Sequence, residues 1–139
     1  MTTERKLHPR PQFIRENWHS LEGQWDFKFD DENEGVAKQW CQGFEKDYDI
    51  TVPFTYETKM SGIHQEEHHP VVWYQRGFEA AHDGQMLTLY FEGVDYETTV
   101  WVNGSVAGTH RGASERFSFD ISSLVKAGAN QIVLRAEDS

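Results

Sequence analysis

The sequence predicts an all-β fold, an antiparallel β-sandwich of jelly-roll type, and three observations point to it. Short apolar segments alternate with a period of two, and turn signals recur between them. No stretch carries a helical period long enough for parallel βαβ units. The apolar content is aromatic in kind, with Phe, Tyr and Trp making up 14% of the chain. Aromatic side chains with scattered glycine favour strands. A length of 139 residues suits one domain. Folding at this size removes roughly two-thirds of the unfolded surface from water, enough for a core.

The elements follow in order. Residues 1–19 read as an extended N-terminal arm, because Pro9 and Pro11 oppose regular structure, while Phe13, Ile14 and Trp18 can pin it to a body. Residues 20–139 are the sandwich domain. Stretch 24–30 alternates, with Trp25, Phe27 and Phe29 on one face, the mark of a strand with one buried side. Stretch 31–44 reads as a connection with a helical turn or two, placing Val36, Trp40 and Phe44 inward. Tyr48, Ile50, Val52 and Phe54 alternate again, and Pro53 indicates an edge or a strand end.

Stretch 57–70 is a long polar loop, and loops of that length are functional or mobile. Strands follow at 71–80, 86–92 and 96–102. Asn103-Gly104 signals a type I′ hairpin, since both residues tolerate positive φ, and 105–109 pairs back from it. The Val100-Trp101-Val102 alternation implies cover on both faces. Gly108 and Gly112 bracket His110 where the backbone needs positive φ or a close approach. Phe117, Phe119 and Ile121 alternate in the next strand, and a side chain among Asp120, Ser122 and Ser123 caps the turn that follows. Gly128 closes that turn as a left-handed cap, and Ile132 and Leu134 lie in a last strand. Eight or nine strands result. The sequence stops straight after that strand, so further sequence is expected beyond it.

The charge excludes several functions. With 23 acidic and 13 basic residues the net charge is −10. A polyanion such as nucleic acid is repelled by that field, and so is an anionic membrane surface. No apolar run approaches the ~20 residues a membrane helix needs. The first residues lack the apolar core of a signal peptide. Cys41 stands alone, so no internal disulfide forms. A soluble protein of a reducing, cytoplasmic compartment is expected.

Several clusters call for weighing. His64, His68 and His69, with Glu66 and Glu67 between, resemble a zinc set only if the segment is helical. Gly62 and Pro70 bound it tightly, so a polar loop is the better reading. Asp30-Asp31-Glu32-Asn33-Glu34-Gly35 has oxygens for calcium but lacks the ligand spacing of a calcium loop, and reads as an acidic turn. Trp73, Tyr74 and Trp101 lie in strands and read as core, whereas Trp18 and Tyr56 are freer to stack on a sugar. His110 and Arg111 sit in a loop able to reach a neighbouring domain, although a structural histidine is the simpler reading. Cys41, beside Trp40, reads as a buried inert thiol.

Three segments together resemble family 2 glycoside hydrolases. The first is Leu21-Glu22-Gly23-Gln24-Trp25-Asp26-Phe27. The second is Val52-Pro53 followed by Val72-Trp73-Tyr74-Gln75-Arg76. The third starts at Phe91-Glu92-Gly93-Val94-Asp95 and Val100-Trp101-Val102-Asn103-Gly104. It runs on through Gly108, His110, Gly112, Phe117, Phe119-Asp120-Ile121, Gly128, Asn130 and Ile132. The chain departs at Gly112-Ala113-Ser114, where many members have Gly-Gly-Tyr.

The resemblance implies the galactose-binding-like N-terminal domain of a retaining β-glycosidase of β-galactosidase or β-glucuronidase type. It would precede an immunoglobulin-like domain and a TIM barrel carrying the two catalytic glutamates. No catalytic residue, metal or cofactor is assigned to this chain. The implied partners are those downstream domains, a carbohydrate substrate and further copies of the parent in a homo-oligomer. A free-standing carbohydrate-binding module and an interaction domain with no sugar role are the competing readings.

Overall fold

The computed structural model describes residues 12–14, 19–21, 23–52, 70–80, 87–91, 97–112 and 117–137. These contain ten strands: β1 (Gln12–Ile14), β2 (His19–Ser20), β3 (Gly23–Phe29), β4 (Tyr48–Val52), β5 (Val71–Ala80), β6 (Thr88–Phe91), β7 (Glu97–Val102), β8 (Ser105–Arg111), β9 (Phe117–Asp120) and β10 (Gly128–Glu137). They form a four-stranded sheet in the order β2-β1-β6-β9 and a six-stranded sheet in the order β4-β3-β5-β10-β7-β8. Every pairing is antiparallel. The expected sandwich is observed. Ten strands replace the eight or nine expected because two short ones form in the region read as an arm. Gln12–Ile14 pairs with β6, so the backbone there is knit into the smaller sheet.

The period of two sets the faces. Trp25, Phe27, Ile50, Val72, Tyr74, Val100, Val102, Ile132, Leu134 and Ala136 point from the larger sheet into one core, where they meet Leu89 and Phe91 of the smaller sheet. Register keeps the layers matched, with Trp25 opposite Ile50 and Phe27 opposite both Tyr48 and Tyr74. Phe27 and Tyr74 meet edge to face, with ring centres 5.1 Å apart. Each buried ring removes a large apolar area from water, which is the main drive to this fold. Leu21 ties the start of β3 down: its carbonyl accepts from Trp25 Nε1 and from Arg76 Nη1, each at 2.7 Å.

The intervening positions face outward, and on the larger sheet they carry a second apolar cluster of Val71, Trp73, Trp101 and Val133. The expectation that β7 is covered on both faces therefore holds. Segment 30–47 lies over this outer face as a cap, with one turn of 3-10 helix at Trp40–Gln42. Its Trp40, Cys41 and Phe44 pack against the outer cluster. Val36, expected inward, is instead 57% exposed. Its neighbour Gly35 makes the close approach, because a Cβ there would lie 2.5 Å from Trp73 Cζ2, and the next side chain is turned away.

The turns follow their residues. Asn103 and Gly104 have φ of 53° and 85°, the two positive values of a type I′ turn. Gly128, expected to close the preceding turn, has φ of 93° and opens β10.

Candidate functional site

Three places gather the chemistry-bearing side chains: the capped outer face, the end of the β7–β8 hairpin, and the seam where β8 meets β9.

On the outer face Trp73 and Trp101 stack with ring centres 5.3 Å apart and planes 12° from parallel. Trp40 meets Trp73 edge-on at 5.5 Å. Asp30, 2% exposed, fastens the cap to this stack. Its Oδ2 accepts from Trp73 Nε1 at 2.9 Å and from the Gly35 amide at 3.0 Å, and its Oδ1 accepts from the Glu34 amide at 2.8 Å. The acidic turn is thus a clip whose leading carboxylate is occupied by N–H donors. Gln75 is the second clip. Its side-chain amide accepts from the Phe44 N–H, and donates to the Phe44 carbonyl and to Asp26 Oδ2. Neither role is visible in local sequence, since Asp30 reaches Trp73 across 43 positions. The only sequence signal is a polar residue, Gln75, directly after the apolar run Val71-Val72-Trp73-Tyr74.

At the hairpin end Asn103 donates through Nδ2 to the Leu124 carbonyl and to Asn130 Oδ1, both at 2.8 Å. Its Oδ1 accepts from the Gln131 amide at 3.0 Å. Asn130, 5% exposed, donates in turn to the carbonyls of Lys126 and Gly128 and accepts from the Lys126 amide. A half-buried and a buried amide thereby serve a turn that would otherwise leave backbone groups unpaired.

At the seam the His110 ring stacks on Phe117, with centres 4.0 Å apart and planes 5° from parallel. Gly108 lets the sheets close, because a Cβ there would fall 2.3 Å from Phe119 Cδ1. His110 stands opposite Thr98 in the β7–β8 register. His110 Nδ1 and Thr98 Oγ1 are both buried without a hydrogen-bond partner. His110 and Arg111, expected in a loop, instead lie in β8, where the His110 ring packs on Phe117 and Arg111 is exposed beside Glu97 at 3.3 Å.

The remaining sequence candidates fall as follows. Trp73, Tyr74 and Trp101 are buried, as core residues should be. Cys41 is half-buried against the outer cluster. Trp18, Tyr56, His64, Glu66, Glu67, His68 and His69 lie outside the described residues. Among the described residues no group of three or more His, Cys, Asp or Glu is placed to hold a metal. No described helix is long and apolar enough to cross a membrane.

Among the described residues the carboxylates other than Asp30 are partly or fully exposed. Asp49 hydrogen-bonds the Lys46 ammonium at 2.6 Å and raises its pKa from the ordinary 10.5, a rise opposed by desolvation. The Ser122 hydroxyl, followed by the Ser122 amide, donates to Asp120 Oδ1 and holds that carboxyl below its ordinary 3.8. Asp120 is thus the side chain that caps the turn.

These features define an antiparallel jelly-roll module whose side-chain chemistry is devoted to holding two faces closed. The description "Glycosyl hydrolases family 2, sugar binding domain" matches residues 18–137. The chain belongs to that family, as its N-terminal sugar-binding domain. A β-glucuronidase of Paenibacillus borealis is 28% identical over 125 residues, covering 88% of this chain and 21% of that protein. A β-galactosidase of Thermoanaerobacter pseudethanolicus is 35% identical over 66 residues, covering 46% of this chain and 9% of that protein. Among solved structures, a β-glucuronidase of Lactobacillus rhamnosus superposes with a TM-score of 0.76 at 29% identity, covering 100% of this chain and 22% of that one. The chain therefore spans about a fifth or less of the length of these relatives.

Proposed function

We propose that the chain serves as the non-catalytic N-terminal domain of a retaining β-glycosidase acting on terminal β-glucuronides or β-galactosides. The observation that carries this reading is the family match across 18–137 in a chain that spans only 21% of a relative aligned along most of its length. The side chains support it. Asp30, the one buried carboxylate among the described residues, is enclosed by three N–H donors and sealed from solvent. A general acid or nucleophile must instead face the substrate. The catalytic pair then belongs to a TIM barrel outside this chain. The sandwich packs against that barrel and an immunoglobulin-like domain, shapes one wall of the pocket and contributes to homo-oligomer contacts. A lone cysteine accords with a cytoplasmic setting.

The competing carbohydrate-binding module needs exposed rings on which pyranose faces can stack. Among the described residues the large exposed apolar side chains are Val36 and Val106, and neither is aromatic. The test is incubation of the purified chain with chromogenic β-glucuronide and β-galactoside, alongside calorimetry against the free sugars. No turnover and no heat of binding are expected. Hydrolysis abolished by changing a glutamate within the chain would overturn the proposal, and millimolar or tighter sugar binding would favour the module.

A further inference from the structure

We infer that Asn103-Gly104 is a fold-gated deamidation site, protected by the Asn103–Asn130 amide network and converted irreversibly when the chain opens. This goes beyond the accessory role and does not depend on it. The chain has four asparagines, at 17, 33, 103 and 130, and Asn103 alone precedes glycine. An asparagine before glycine is open to intramolecular attack because no Cβ on the following residue hinders the approach. In that step the Gly104 backbone nitrogen attacks Asn103 Cγ. The new Cγ–N bond forms as Cγ–Nδ2 breaks, and Nδ2 leaves as ammonia carrying the proton from the Gly104 N–H. A water molecule then adds to either carbonyl of the succinimide and breaks its bond to nitrogen, giving aspartate or isoaspartate. Water is the only co-reactant, and nothing is oxidised or reduced.

The folded chain blocks the first step. Both Nδ2 hydrogens are held, by the Leu124 carbonyl and Asn130 Oδ1, while Oδ1 is held by the Gln131 amide. Cγ reaches the Gly104 nitrogen only after these three bonds break together. They tie the hairpin to the turn before β10 and to β10 itself, so the opening is a separation of elements and not a side-chain rotation. The same network makes the reaction one-way for the fold. A carboxylate at position 103 offers no N–H, leaving the Leu124 carbonyl and Asn130 Oδ1 facing an anion. Asn130 cannot turn its own amide over without losing its bonds to Lys126 and Gly128. A chain that unfolds and reacts refolds into a weakened hairpin, and position 103 keeps a chemical record of time spent open.

The test is peptide mapping by mass spectrometry of the full chain, aged at mildly alkaline pH in buffer and in denaturing urea. Amide-to-acid conversion at 103 is expected in urea, with a rate at least about tenfold lower in buffer because reaction waits on opening. Gly104→Ala should slow the conversion in urea, where folding plays no part. Asn130→Ala should speed it in buffer, since one Nδ2 acceptor is gone. Asn103→Asp should lower the thermal midpoint. Equal rates in buffer and urea would sink the inference whatever the variants do. So would an Asn103→Asp chain as stable as the parent, or a folded Asn130→Ala chain reacting no faster than the parent. If Asn130→Ala does not fold, the buffer-to-urea ratio of the parent decides.

Discussion

At the residue scale, the informative groups are buried polar atoms and their partners. Asp30 gives two oxygens to three N–H donors, one of them the indole of Trp73. Asparagine at this position has one acceptor oxygen, and its NH2 group would be aimed at an N–H. Asp30→Asn should therefore cost roughly 2–4 kcal/mol in urea unfolding, with earlier loss of the Trp73 environment by fluorescence. An unchanged midpoint would show that the clip contributes nothing. Asp120 offers a pH test. Its folded pKa lies below the ordinary 3.8, chiefly through the Ser122 hydroxyl. A lowered folded value means that this hydrogen bonding stabilises above the unfolded pKa and is lost as pH falls through the folded one. In Ser122→Ala the Asp120 titration followed by NMR should move up toward 3.8 yet stop short of it, because the Ser122 amide still donates. A midpoint that stays in place would assign the shift to something else.

At the element scale, local sequence showed which segments are strands but not which surfaces they share. Stretch 24–30 announced β3 because Trp25, Phe27 and Phe29 alternate, and the register with Ile50 and Tyr74 follows from burying that one face. Asn103-Gly104 announced its turn through backbone preference alone. The cap was misread at Val36 because its geometry is set by Trp73, a residue of another strand, pressing on Gly35. The clips at Asp30 and Gln75 stayed hidden for the same reason: hydrogen bonds across tens of residues leave no periodic trace. Gly108 was legible as a close approach, though its partner Phe119 was not. That contact closes the edge of the larger sheet against the edge of the smaller. Gly108→Ala should force the Phe119 ring aside and cost about 1–3 kcal/mol, read as a lowered urea midpoint. Stability equal to the parent would mean that the seam has slack and that the His110–Phe117 stack alone closes it.

At the scale of the whole molecule, charge and packing oppose each other. The two apolar clusters draw the sheets and the cap together, while a net charge of −10 pushes the surface apart. The ion pairs offset little of that, because pairs such as Lys46–Asp49 and Arg111–Glu97 have both partners well exposed to water. Screening should then relieve more repulsion than it removes attraction. Raising sodium chloride from low to physiological concentration shortens the Debye length to about 8 Å. The expected result is a higher Tm, by a few degrees or on the order of 1 kcal/mol, followed by scanning calorimetry at fixed pH. A Tm that falls with salt would mean that the local pairs outweigh the net field, and the acidic surface would then have to be treated as an ordered network instead of a uniform excess.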